Sequence, residues 1–159
     1  VPDLPKALFS CDPGLVSGIA ELWYLPEDEL IDVHHSAEVG MAGVGSALRQ
    51  FCQASDPYTA QVVAERFIIT PKTGTNSQAP WSLETIGMMR WIVHEEWGLP
   101  IDDAIVLQSA VEAKTLVTND VLKRIGVWHR GGAGHAKDAL RHGVFRYAKL
   151  GLRTPWKDL

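Results

Sequence analysis

Cysteine is scarce in this chain. Cys11 and Cys52 are the only two, too few for a disulfide framework, and a reducing cytoplasm is the expected compartment. Long apolar runs are also missing, since every hydrophobic stretch is broken by Pro, Gly or charge well short of the roughly 20 residues a bilayer span needs. The opening residues, Val1-Pro2-Asp3-Leu4-Pro5-Lys6, lack the basic-then-apolar order of a secretory signal. The expectation is therefore a cytoplasmic protein with no membrane partner. Overall charge of one sign is absent too: 15 Lys and Arg against 19 Asp and Glu leave a net of −4, which argues against a nonspecific polyanion binder. What is present is an ordinary globular composition, 46% hydrophobic and 21% charged. At 159 residues it suits one domain spanning 1–159 and leaves no room for two lobes.

The modest net charge hides an asymmetry. Residues 1–113 hold 5 basic and 16 acidic side chains, whereas residues 114–159 hold 10 basic and 3 acidic. A solvated helix surface explains such a segment as well as a phosphate-binding one does, and only the placement of the basic groups around other chemistry decides.

Along the chain, Ala7-Leu8-Phe9-Ser10-Cys11 and the run from Gly18 to Leu25 read as two strands joined by an Asp12-Pro13-Gly14 turn, with a third strand at 30–34 completing a meander. Residues 41–54 have helical spacing. Residues 60–69 are β-branched and apolar, as in a strand buried mid-sheet, and a polar loop with Pro71, Gly74, Asn76 and Ser77 fills 70–80. Ser82 is a plausible cap for a helix over 83–97, preceded by Trp81, which reads as a hydrophobic staple or a base-stacking ring. A second buried strand follows at 104–108, then a short helix capped by Thr118 or Asn119, and a last helix over 135–150 after Gly131-Gly132-Ala133-Gly134. The order βββαβαβαα is that of an α/β protein with one mixed sheet.

Chemistry concentrates in four side chains. Ala136, Ala139, Leu140, Val144 and Tyr147 form one apolar stripe on the last helix, so His135 and Asp138, three residues apart, share a different face. Asp12 directly follows an apolar strand, and Glu65 interrupts the most hydrophobic one. A lone buried carboxylate costs several kcal/mol, so each needs a partner, and divalent cations would supply it. Taken singly, each has a plainer role: a turn-forming Asx residue at Asp12, an ion pair with Arg66 or a lysine at Glu65, a solvated acid at Asp138, a helix-opening residue at His135.

Together, the strand-Asp12-Pro13-Gly14 hairpin, Glu65 on a central strand and the helix His135-Ala136-Lys137-Asp138-Ala139-Leu140 resemble the RuvC-type Holliday-junction resolvases of the RNase H-like superfamily, in a short form similar to bacteriophage versions. The resemblance runs along nearly the whole chain. It implies a five-stranded mixed β-sheet flanked by α-helices. It also implies a homodimeric crossover junction endodeoxyribonuclease that cuts branched DNA by two-metal-ion hydrolysis, leaving 5′-phosphate and 3′-hydroxyl ends. Asp12, Glu65, His135 and Asp138 are then the catalytic and metal-binding residues, holding two Mg²⁺ ions for which Mn²⁺ can substitute. Lys114, Lys123, Arg124, Arg130, Lys137 and Arg141 become the DNA-binding set, acting by phosphate neutralisation.

Other motifs stay bland. The Gly-rich run lacks the Gly-Lys-Ser/Thr of a nucleotide loop. His94-Glu95-Glu96-Trp97 lacks a second zinc-binding His, His34-His35 has no companions at ligand spacing, and Cys11 is expected in the core on the strand face opposite Asp12. The apolar helix with Met88, Met89, Trp91, Ile92 and Trp97 suits either a core or a two-fold interface. The rival readings are an actin-like ATPase fragment, disfavoured by length, and a DNA-junction module without cutting activity.

Overall fold

The computed structural model describes residues 4–71 and 79–152. Strands β1 (Ala7–Asp12), β2 (Ser17–Leu25) and β3 (Leu30–Val39) form the antiparallel meander, and helix α1 (Met41–Ala54) leads to β4 (Ala60–Glu65). Helix α2 (Ala79–Trp97), a 3₁₀ turn (Ile101–Asp103) and β5 (Val106–Gln108) follow, then α3 (Ala110–Leu116), α4 (Asn119–Arg124) and α5 (His135–Lys149). The strands make one five-stranded sheet in the order β3-β2-β1-β4-β5, in which β1, β4 and β5 run parallel. Among the described residues no helix is long and apolar enough to cross a membrane.

Strand alternation divides the core in two. Phe9, Cys11, Val62 and Ala64 point to one face and pack with Leu48 and Phe51 of α1 and Met89 and Val93 of α2. Leu8, Leu22 and Val63 point to the other, against Leu122, Leu140, Val144 and Tyr147. Cys11 is fully buried on the first face, as its place in the strand requires. The Ser10 hydroxyl lies on the second face and donates to the Ala139 carbonyl at 2.7 Å, tying the middle of α5 to the central strand.

Four elements differ from expectation. Strand β3 runs on past residue 34 to Val39, because residues 35–39 keep pairing with β2 as far as Ser17. Strand β4 stops at Glu65, because beyond the Glu65–Gln108 pairing the chain leaves the sheet and exposes Ile68 and Ile69. Strand β5 shrinks to three residues, with Ala104 and Ile105 forming a buried bend between the 3₁₀ turn and the strand. Helix α2 begins at Ala79, so Ser82 is no cap and Trp81 no staple: Ser82 is buried within the helix and donates to the Pro13 carbonyl at 2.8 Å. One helix was not foreseen. Ser109 accepts from the Glu112 N–H and starts α3 immediately after β5. Most of the polar loop, including Gly74, Asn76 and Ser77, lies outside the described residues.

Candidate active site

Asp12, Glu65 and Gln108 end the three parallel strands, on the face that α5 covers. The carboxyl ends of parallel strands are where α/β sheets open a crevice, because the following loops diverge there. The turn after Asp12 is fastened from two sides. The Gly14 N–H donates to Ser17 Oγ and that hydroxyl donates back to the Gly14 carbonyl, both at 3.1 Å, while Ser82 grips Pro13. Gly18 pairs with Asp12 across the hairpin. A Cβ at Gly18 would collide with the backbone carbonyl of His135, so only glycine lets the N-terminus of α5 settle on the sheet at this point.

The helix brings its polar face down on the acids. His135 Nδ1 donates to Asp12 Oδ2 at 2.8 Å. Asp138 is held by Arg141 through Oδ1 and by Lys114 through Oδ2, the latter at 3.0 Å. Glu65 Oε2 accepts from His142 Nε2 at 3.1 Å, and the other ring nitrogen of His142 lies 3.2 Å from Gln108 Oε1. An ionised carboxylate only accepts, so His135 carries a proton on Nδ1 and His142 one on Nε2; the contact of His142 Nδ1 with Gln108 is a hydrogen bond when Nδ1 is protonated as well or when the Gln108 amide is turned to donate.

Electrostatics tie the three acids together. Burial raises the Asp12 carboxyl above the ordinary carboxylate range, and the charges of Glu65 and Asp138 push the same way, against the opposing hydrogen bond from His135. Burial likewise lifts the Cys11 thiol, with further contributions from Asp12 and Glu65, so it stays protonated.

The four expected residues thus gather at one end of the sheet. Among the described residues, however, no three His, Cys, Asp or Glu side chains make a ready-made metal cage. Each acid is instead met by a protein group: Asp12 by His135, Glu65 by His142, Asp138 by Arg141 and Lys114. The donor set still suits a hard divalent cation, since the imidazoles engage one oxygen each of Asp12 and Glu65, and the mutual repulsion felt at Asp12 is what such an ion relieves.

The expected DNA-binding set divides. Lys114, Lys123, Arg124 and Arg130 are exposed and Lys137 half-buried. Lys123 and Lys137 both lie over the Trp128 ring, their Nζ atoms 4.8 and 5.3 Å from its centroid. Arg141 is a correction. It is buried, donating from Nε to the Val117 carbonyl at 2.7 Å and from Nη2 to Asn119 Oδ1 at 2.6 Å, so its guanidinium braces α4 and Asp138 rather than facing outward. Sequence reading missed His142, although its place on the polar side of α5 was visible, and it missed Glu38, which no local pattern marks.

Comparison with solved structures settles the architecture. T. thermophilus RuvC in complex with Holliday junction substrate superimposes with a TM-score of 0.64 and 13% identity, over 92% of this chain and 97% of that one. This is a RuvC-like fold. The fowlpox virus Holliday junction resolvase matches with a TM-score of 0.54 and 10% identity, over 91% of this chain and 99% of the other. No protein-family model and no curated protein sequence matches. The RuvC-like architecture therefore stands on three-dimensional likeness, at identities where the chains share little but the fold.

Proposed function

We propose that this chain is a Mg²⁺-dependent endonuclease that cuts Holliday junctions and other branched DNA. The observation that carries the reading is the grouping of Asp12 and Glu65, at the carboxyl ends of two parallel strands, with Asp138 of α5, close enough for the charges of Glu65 and Asp138 to add to the burial that raises Asp12. The RuvC-like fold supports it, with one neighbour bound to a Holliday junction. Asp12, Glu65, Asp138 and His135 would hold two Mg²⁺ ions, or Mn²⁺, given the imidazole in the set. When bound, the ions activate a water on one side of a phosphodiester and offset charge on the leaving oxygen, giving a 5′-phosphate and a 3′-hydroxyl.

The chain's own residues supply the rest. His135 fixes the direction of Asp12, and His142 fixes that of Glu65. Lys114, half of whose side chain is exposed, must leave Asp138 for that carboxylate to bind an ion, which frees its ammonium for a phosphate. Lys123, Arg124, Arg130 and Lys137 extend the positive surface past the site. Exposed Trp81 and Trp91 on α2 fit a homodimer that presents two sites to one junction. The whole chain would then be one nuclease domain.

The decisive test offers labelled four-way, three-way, flap and linear duplex DNA with Mg²⁺, Mn²⁺ or chelator. Cleavage confined to branched forms and abolished by chelator, with nicks that DNA ligase reseals, is the expected result. Junction binding without cutting under any metal would leave only a binding module, and cutting that persists in chelator would overturn the metal mechanism.

A further inference from the structure

Asp12, Gly18 and Glu38 form one row across β1, β2 and β3, paired Asp12 to Gly18 and Gly18 to Glu38. The first turn of α5 lies along this row, its His135 carbonyl against Gly18. His135 is gripped at both ends of it: the imidazole binds Asp12, and the backbone N–H donates to Glu38 Oε1 at 2.9 Å. Glu38 also accepts from the Gly134 N–H at 2.8 Å and, through Oε2, from the Ala133 N–H at 2.9 Å.

The helix depends on this carboxylate. The first N–H groups of any α-helix need acceptors from outside it, and the residue preceding α5 is Gly134, which has no side chain to offer. A negative charge there is also favoured by the helix dipole. Those backbone bonds hold the Glu38 carboxyl down at about 2. The loop is shaped to fit: Gly132 has a left-handed φ of 66°, and a Cβ at that position would come within 2.6 Å of the Glu38 carboxyl group. The same strand makes a second tie, Ser36 Oγ to His129 Nδ1 at 2.8 Å.

We propose that Glu38 is a positioning residue that sets the first turn of α5, and with it His135 and Asp138, against Asp12. Both its oxygens are spent on backbone N–H groups, so it acts through the helix and not on the substrate. The effect on cutting rests on the nuclease reading above; the effect on geometry does not.

The test uses the full chain with Glu38→Ala and Glu38→Gln. In Glu38→Ala, the Mg²⁺ concentration for half-maximal junction cutting should rise by about 10- to 100-fold, the range seen when a group orienting a ligand is lost. Glu38→Gln, which keeps one acceptor oxygen, should recover part of the loss. Independently of any cutting, amide exchange at Gly134 and His135 should speed up at least about tenfold in Glu38→Ala, and the His135 ring resonances should move. Should the wild type fail to cut, the nuclease reading falls and the amide and ring signals alone decide this proposal. Unchanged exchange and ring signals in a folded variant overturn it, as does a wild-type metal requirement in Glu38→Ala. If that variant does not fold, the same readouts on Glu38→Gln decide.

Discussion

His142 Nε2 lies 3.1 Å from Glu65 Oε2, and only 1% of that histidine is exposed. It bridges the ends of β4 and β5 through Glu65 and Gln108. Truncation to Ala should cost about 2–4 kcal/mol, because it opens a cavity and strands two polar partners. In a chain of this size each kcal/mol lowers Tm by about 2–4 °C. His142→Phe fills the space without the hydrogen bonds and separates the two contributions. Cutting should drop by about 10- to 100-fold in both variants, as Glu65 loses its orientation. A wild-type rate in His142→Phe would show that Glu65 needs no such support.

Asp12→Asn should abolish cutting while retaining junction binding, and in metal-free buffer it should melt higher than the wild type. The sign follows from the raised Asp12 carboxyl: the folded state holds the proton more tightly, so ionisation at neutral pH works against folding. The advantage of Asn should shrink as pH falls and vanish below 3.8, where Asp12 is protonated both folded and unfolded. Thermal melts at pH 7 and pH 3 check it, and an Asn variant that melts lower at pH 7 would contradict the electrostatic account.

The meander, α1 and α5 were legible because their hydrophobic periods match their packing, and Asp12 and Glu65 stood out as acids where strands should be apolar. The helix α3 was legible too, in the Ser109-Ala110-Val111-Glu112 spacing, but a seven-residue helix that follows a strand with only its cap between them is easily passed over. Arg141 misled for a physical reason: its position among basic residues says nothing of the Val117 carbonyl and Asn119, which fold in from another element to claim it. Glu38 could not be found at all from sequence. Its partners lie 95 to 97 residues away, and they are backbone N–H groups that leave no mark in side-chain identity.

The Glu38 carboxyl titrates in the folded chain at about 2, below its ordinary 4.5, so the sign is opposite to that for Asp12. Its stabilising effect is complete above about pH 4.5 and is lost as pH falls from there through 2. Glu38→Gln should therefore melt below the wild type at pH 7, and the gap should narrow steadily on titration to pH 2.5. A gap independent of pH would mean that the charge of Glu38 is irrelevant to its hold on the loop.

Lys123 and Lys137 share the Trp128 face, and Arg141 does not reach the surface, so salt dependence should tell them apart. A lysine that neutralises one phosphate contributes about 0.9 to the slope of log affinity against log salt. Lys123→Ala and Lys137→Ala should each flatten that slope for junction binding by about 1, with little change in Tm. Arg141→Ala should leave the slope alone, because its guanidinium spends its donors on Val117, Asn119 and Asp138. It should instead cost about 3 kcal/mol of stability, since it leaves Asp138 and two oxygens near α4 short of a partner. Binding titrations from low to moderate salt, run beside thermal melts, measure both quantities on the same variants. A flattened slope with an unchanged Tm in Arg141→Ala would return that residue to the DNA surface.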